Sequence, residues 1–217
     1  LTITSGNGSP SRAGTVTTGT IEGGAITVSS FNGNILLGNV GTATRAGALT
    51  LTANPLGSKY GTVQTGDITA ASLAIIDIGN NVTTGNLDTT AGVSVTSSQT
   101  AVTLGTVNAA ALTIDTCFLC FQPQVTIGAI TGVSTLSIGG SETTINGSVS
   151  GNPAGTGTLF IGGSAYGTGK GFVNITGGSV TAGDGSNIQI YAQHATNPFV
   201  FATLNAGAKG TVGITSP

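Results

Sequence analysis

The chain has 217 residues, 37 of them glycine, with 6 prolines, two cysteines and a net charge of −2. Only 6% of its residues are charged, against roughly 25% in an ordinary soluble domain. The basic residues Arg12, Arg45, Lys59, Lys170 and Lys209 never cluster, which excludes a phosphate-tracking surface and so nucleic acid as a partner.

The glycines follow no G-X-Y period, so collagen is out. The richness in Val, Ile, Leu and Thr argues for strands and against disorder. No run approaches the roughly 18 apolar residues of a membrane-spanning helix. The strand-like segments are shorter than the roughly 9 to 11 residues of a membrane-barrel strand, and aromatic girdles are missing. No membrane-spanning element is expected. With Leu1 at the start and no Met, the chain is expected to be a processed product or a fragment.

Residues 1–13 read as an N-terminal arm: Gly6, Asn7, Gly8, Ser9 and Pro10 form a turn, and Leu1 to Thr4 suits a strand donated to another copy. A single domain is expected over 14–217. Its first coil runs Val16 to Ile21 and then Ala25 to Val28; the second runs Ile35 to Val40 and then Ala48 to Leu51. The clearest units follow. Val63 to Ile68 precedes Leu73 to Ile75, Val82 to Leu87 precedes Val93 to Val95, and Ala101 to Val107 precedes Leu112 to Ile114.

Each unit is a period-2 segment, a glycine, one more apolar residue, a polar break and a second period-2 segment. Gly66, Gly85 and Gly105 are 19 and 20 residues apart. The register continues through Val125 to Ile130 with Leu136 to Ile138, Ile145 to Val149 with Leu159 to Ile161, and Val173 to Val180 with Ile188 to Ile190. It ends at Thr211 to Ile214. A fixed period near 20 without helical spacing predicts an all-β fold, a right-handed parallel β-helix with coils of about 19–20 residues. Three or four strands per coil both fit. The glycine is expected at a corner where a Cβ would clash or φ is positive. Three loop excursions interrupt the repeat: 54–61, 115–124 and 191–200. The first accounts for the 28 residues between Gly38 and Gly66.

The pattern of Asn34 to Val40 with Ala48 to Ala53, and of Val82 to Leu87 with Gly92 to Val95, resembles the repeats of filamentous-haemagglutinin-like secreted exoproteins. It departs from them in its low charge and in showing no asparagine-proline secretion signature near the start. The resemblance implies a right-handed β-helix, surface display or release, and a role in adhesion or biofilm matrix.

Cys117 and Cys120 have C-x-x-C spacing, which suits a disulfide stapling the excursion, a pair of buried thiols, or a metal or redox site. His194 is the only histidine and reads as a loop residue. The acids Glu22, Asp67, Asp77, Asp88, Asp115, Glu142 and Asp184 are scattered, without the paired carboxylates of a glycosidase. Residues 166–171 lack the Ser/Thr of a phosphate loop, and 182–185 lack the nonapeptide repeat of a calcium solenoid. No catalytic residue, cofactor or metal is therefore assigned, and no enzyme is expected.

Phe118, Phe121, Tyr191, Phe199 and Phe201 gather in the excursions as candidate assembly or ligand contacts. Asn7, Asn81, Asn146 and Asn174 open N-x-Ser/Thr acceptors. The expected function is an extracellular structural or adhesive fibre, assembling with other copies of itself and meeting host-surface or matrix carbohydrate. The alternatives are a carbohydrate-binding or carbohydrate-cleaving β-solenoid and an antiparallel pilin-type subunit with a donated strand.

Overall fold

Alternating Val, Ile, Leu and Thr favour extended backbone, in which successive side chains take opposite faces. The computed structural model describes residues 1–6, 14–53, 61–77, 80–97, 101–116, 124–140, 142–163, 171–192, 199–201 and 203–215. Among these residues there is no helix, and the strands stack in parallel as a β-solenoid. Pairing joins residues one coil apart, as in Val63↔Val82, and not hairpin neighbours. The antiparallel sandwich does not describe this chain.

Each coil has three faces. Face one is a nine-stranded sheet: Val16–Thr18, Ile35–Leu37, Val63–Gln64, Val82–Thr83, Val102–Leu104, Gln124–Ile127, Glu142–Ile145, Phe172–Ile175 and Phe199–Val200. Face two is short, a bridge at Ile21 and Val40 in the first coils and two to four residues later, as in Leu87–Thr89 and Val107–Asn108. Face three carries the longer strands, among them Ile26–Ser30, Ala46–Ala53, Gly92–Ser97, Thr135–Gly140, Asn187–Ala192 and Thr211–Thr215. The ten-residue strand Ile68–Asp77 passes round the corner between faces two and three. Its first residues pair with Leu87–Thr89 and its last with Gly92–Ser97, which fuses the two faces into one sixteen-stranded sheet. At roughly 4.8 Å per coil, nine stacked strands span about 40 Å.

The alternation sends one side chain in two to the axis, where in-register columns form. On face three Val28, Leu51, Ile75, Val95, Ile114, Ile138, Ile161 and Ile190 stack one above another and are all buried. No aromatic side chain belongs to the buried core of the described residues. Columns at the coil repeat favour aliphatic side chains of like size. Polar side chains enter face one's inward positions as well: Thr65 and Thr84 are buried, and Thr143 is fully buried, its hydroxyl donating to the Gly162 carbonyl at 2.9 Å.

The turn from face one to face two is where the repeat's glycine sits. Gly38, Gly66, Gly85, Gly105 and Gly128 each donate their N–H to the carbonyl of the glycine one coil earlier, at 3.0 to 3.2 Å, and Gly19 starts the ladder. Their φ values are not positive. Close approach is the reason for glycine: a Cβ on Gly105 would lie 2.7 Å from the carbonyl carbon and oxygen of Gly85, whereas one on Gly19 would meet nothing within 4 Å. Of the two reasons for glycine read from the sequence, the clash applies here.

Coil length is less regular than the repeat suggests. Register partners are 19 residues apart at Val16↔Ile35, 28 at Ile35↔Val63 and 18 at Val125↔Thr143. Much of the variation falls at one corner, from face three back to face one. There Ser141 alone separates Gly140 from Glu142, but 54–62 separate Ala53 from Val63. All three expected excursions leave face three at this corner; 54–60, 117–123 and 193–198 within them lie outside the described residues. At the N-terminus, Thr2–Ser5 pairs in parallel with Ile26–Ser30 of its own chain, with Thr2↔Thr27 and Ile3↔Val28.

Replacing Gly105 by Ala is expected to destabilise the fold by about 1–3 kcal/mol, the usual cost of overpacking. Gly19→Ala is expected to stay within about 0.5 kcal/mol of the parent. Urea denaturation followed by circular dichroism checks both, and equal losses would show that the ladder does not set the corner.

Candidate functional site

Phe160 lies between the buried Leu159 and Ile161, so alternation turns it outward on face three. Its outer column reads Ser137, Phe160, Gln189, Gly213. The neighbouring outer column reads Asp115, Gly139, Gly162, Tyr191, Thr215. A Cβ built on Gly162 would fall 2.9 and 3.0 Å from Cε1 and Cζ of Phe160, so the ring rests beside the bare backbone of Gly162. Phe160, Gln189, Ile190, Tyr191, Gly213 and Thr215 line a shallow depression of about 310 Å³. Gly213 opens it: a Cβ there would meet nothing within 4 Å.

Tyr191, expected as a contact residue, is therefore at this surface. Phe160 was missed, although its place between two core residues signals an outward ring. Phe201 packs, half-buried, against the core, and Phe199 belongs to the last strand of face one, Phe199–Val200, in register with the buried Val173. Cys117, Phe118, Cys120, Phe121, His194 and Asn7 lie outside the described residues, as do 166–170. Asn81 and Asn146 are exposed at coil corners. The Asn81 Oδ1 accepts the Ala101 N–H at 3.3 Å. Asn174 stands between Thr144 and Val200 on the outside of face one, half-buried.

Five of the scattered acids, Glu22, Asp67, Asp88, Glu142 and Asp184, share a role, accepting hydrogen bonds from another coil. After the glycine corner, the Asn39 Oδ1 accepts the Asp67 N–H at 3.0 Å, the Asp67 Oδ1 accepts the Asn86 N–H at 2.7 Å, and the Asn86 Oδ1 accepts the Thr106 N–H at 3.0 Å. The Asp184 Oδ1 accepts the Ala208 N–H at 2.8 Å, which gives the 182–185 turn a structural use. Arg45 reaches across coils, donating to the Ala70 and Asp88 carbonyls at 3.0 and 2.7 Å and pairing with the Asp88 carboxylate. Asn108 donates to the same carboxylate at 2.8 Å.

Glu22 cradles the 42–44 loop. Its Oε1 accepts the Thr42 hydroxyl at 2.5 Å and the N–H groups of Thr42 and Ala43 at 2.8 and 3.0 Å. The Thr42 hydroxyl first, then the Ala43 N–H, hold the Glu22 carboxyl below its usual range. Among the described residues no group of three His, Cys, Asp or Glu is placed to hold a metal ion. No helix of the described residues is long and apolar enough to cross a membrane, which says nothing of a β-barrel. No protein-family model, curated protein or solved structure matches the chain.

A carboxyl lowered in the folded state stabilises above its ordinary pKa and loses that contribution as pH falls through the lowered value. The amide resonances of Thr42, Ala43 and Thr44 are thus expected to titrate together with a midpoint below roughly 4.3. Glu22→Gln should abolish that titration in an NMR pH series. A midpoint at or above the ordinary value would contradict the cradle.

Proposed function

We propose that the chain is an extracellular structural and adhesive fibre protein that assembles with copies of itself, in the manner of filamentous-haemagglutinin-like exoproteins. The observation that supports this most is the strand Thr211–Thr215. It pairs on one side with Asn187–Ala192, in the register Asn187↔Thr211 to Tyr191↔Thr215, and all five of its residues are exposed. Val212 and Ile214 continue the core columns of Ile188 and Ile190, yet they are 45% and 48% exposed. An added parallel strand would extend the ladder and cover them.

On the same face Thr2–Ser5 carries Ile3 in the column of Val28, with Leu1 58% exposed. The start of one copy laid on Thr211–Thr215 of another would place Leu1 and Ile3 over Val212 and Ile214. This contact is head-to-tail; it uses two different surfaces and leaves one of each free, so it propagates instead of closing. A charge content of 6% leaves little repulsion between copies. The extracellular setting rests on the composition and on the haemagglutinin-like pattern of the repeats.

Electron cryo-microscopy of the purified protein is expected to show rods that lengthen with concentration at a constant subunit rise. Ile214→Lys, a charge set on the exposed strand, should leave the circular dichroism unchanged and shift the population to single copies. A monodisperse monomer at high concentration in the parent protein would refute self-assembly.

A further inference from the structure

We propose that the depression on face three binds a neutral pyranose sugar, stacked on Phe160 and hydrogen-bonded by Gln189, Tyr191 and Thr215. The proposal deepens the adhesive reading by naming what the fibre adheres to.

Three features select this ligand. The first is a flat, half-buried aromatic ring beside a glycine, with a second aromatic, Tyr191, one coil further on and no bulky side chain at Gly139 or Gly213. A pyranose with equatorial hydroxyls presents a face of C–H groups that packs on such a ring, while its polar edge stays accessible. The second is the polar inventory. An amide and two hydroxyls each donate and accept, as sugar hydroxyls do. Among the described residues the side chains of Gln189 and Tyr191 have no hydrogen-bond partner, so binding breaks no such bond there. The third is charge. No Asp, Glu, Lys, Arg or His is among the lining residues, and the charged residue nearest in these columns, Asp115, stands two positions before Gly162. Among the described lining residues a sulfated or uronic sugar would find no cation to pair with. The form is that of a ligand pocket, an apolar surface with a few convergent polar groups.

The test is an NMR titration of the full chain with cellohexaose, chitohexaose and maltohexaose, and with a galacturonate hexamer as the charged comparison. It is run at a dilution where light scattering finds single copies. Binding and assembly are then read separately: a chain that assembles but takes up no sugar loses only this site, and one that binds sugar but never assembles loses only the fibre. At least one neutral hexamer is expected to shift the Gln189 side-chain amide and the Tyr191 ring resonances at millimolar concentration. Phe160→Ala should weaken that binding roughly tenfold or more.

Gly213→Val provides a second variant. Its Cβ has open space and Val suits a strand, so the fold should persist while the depression fills and binding falls. Failure of all three neutral hexamers to bind, tighter binding of the galacturonate, or binding untouched by both substitutions would overturn the proposal.

Discussion

The contact on which the structure depends is the backbone approach at the turn between faces one and two. Glycine stacks on glycine there, N–H to carbonyl, at the ordinary spacing of a parallel ladder. A corner of this kind would normally break the ladder, because the chain changes direction and side chains crowd the inside of the bend. Removing the Cβ lets the hydrogen-bonded stack run through the bend. The adjoining polar residue then completes it: Asn39, Asp67 and Asn86 each accept the N–H that the backbone geometry leaves over. Each such N–H is thereby paired within the coil stack and not left to solvent. Glycine and Asx act as one device in three successive coils, at Gly38-Asn39, Gly66-Asp67 and Gly85-Asn86.

Fixing that corner fixes the rest of the coil. Once successive coils are held in register, the inward positions of all three faces fall into columns, and a column repeats one shape at the coil spacing. Val, Leu and Ile meet that demand and make up most of the buried core of the described residues. The same geometry leaves Phe160 and Tyr191 on the outer surface, where the two columns otherwise carry small or polar residues. The aromatic patch and the aliphatic core thus have one origin. Loop length, by contrast, is free at the corner between faces three and one, since the ladder on either side is already secured.

Much of this was legible in the sequence. The period-2 segments from Leu73 to Ile75 and from Ile188 to Ile190 are the cores of face-three strands, and the spacing of Gly66, Gly85 and Gly105 marks the corner. The number of faces was not legible, because face two is a single residue at Ile21 and Val40, too short to show a period. The acids were not legible either. The partner of Asp67 is a backbone N–H of residue 86, and the partner of Asp184 is that of residue 208. A backbone donor leaves no mark in side-chain identity, so the carboxylates look scattered until the coils are stacked. Phe160 was hidden differently: a ring inside an apolar triplet, Leu159, Phe160 and Ile161, reads as core unless the alternation is applied residue by residue.

The proposed fibre and the proposed sugar site bear on one another through number. A single stacked sugar, with a few neutral hydrogen bonds in a shallow depression, gives weak affinity, because the ordering of both partners offsets most of the contact energy. Head-to-tail stacking changes the arithmetic without changing the contact. Each added copy would carry its own Phe160 and Tyr191 on face three, and continuing the ladder from Thr211–Thr215 into Thr2–Ser5 of the next copy keeps that face aligned. A polysaccharide presenting the same unit many times would then meet a row of sites, and after the first contact each further one forms at high effective concentration. The register that stacks the core would in this way order Phe160 and Tyr191 along a fibre. Adhesion would then need no deep pocket, only a shallow one repeated in line.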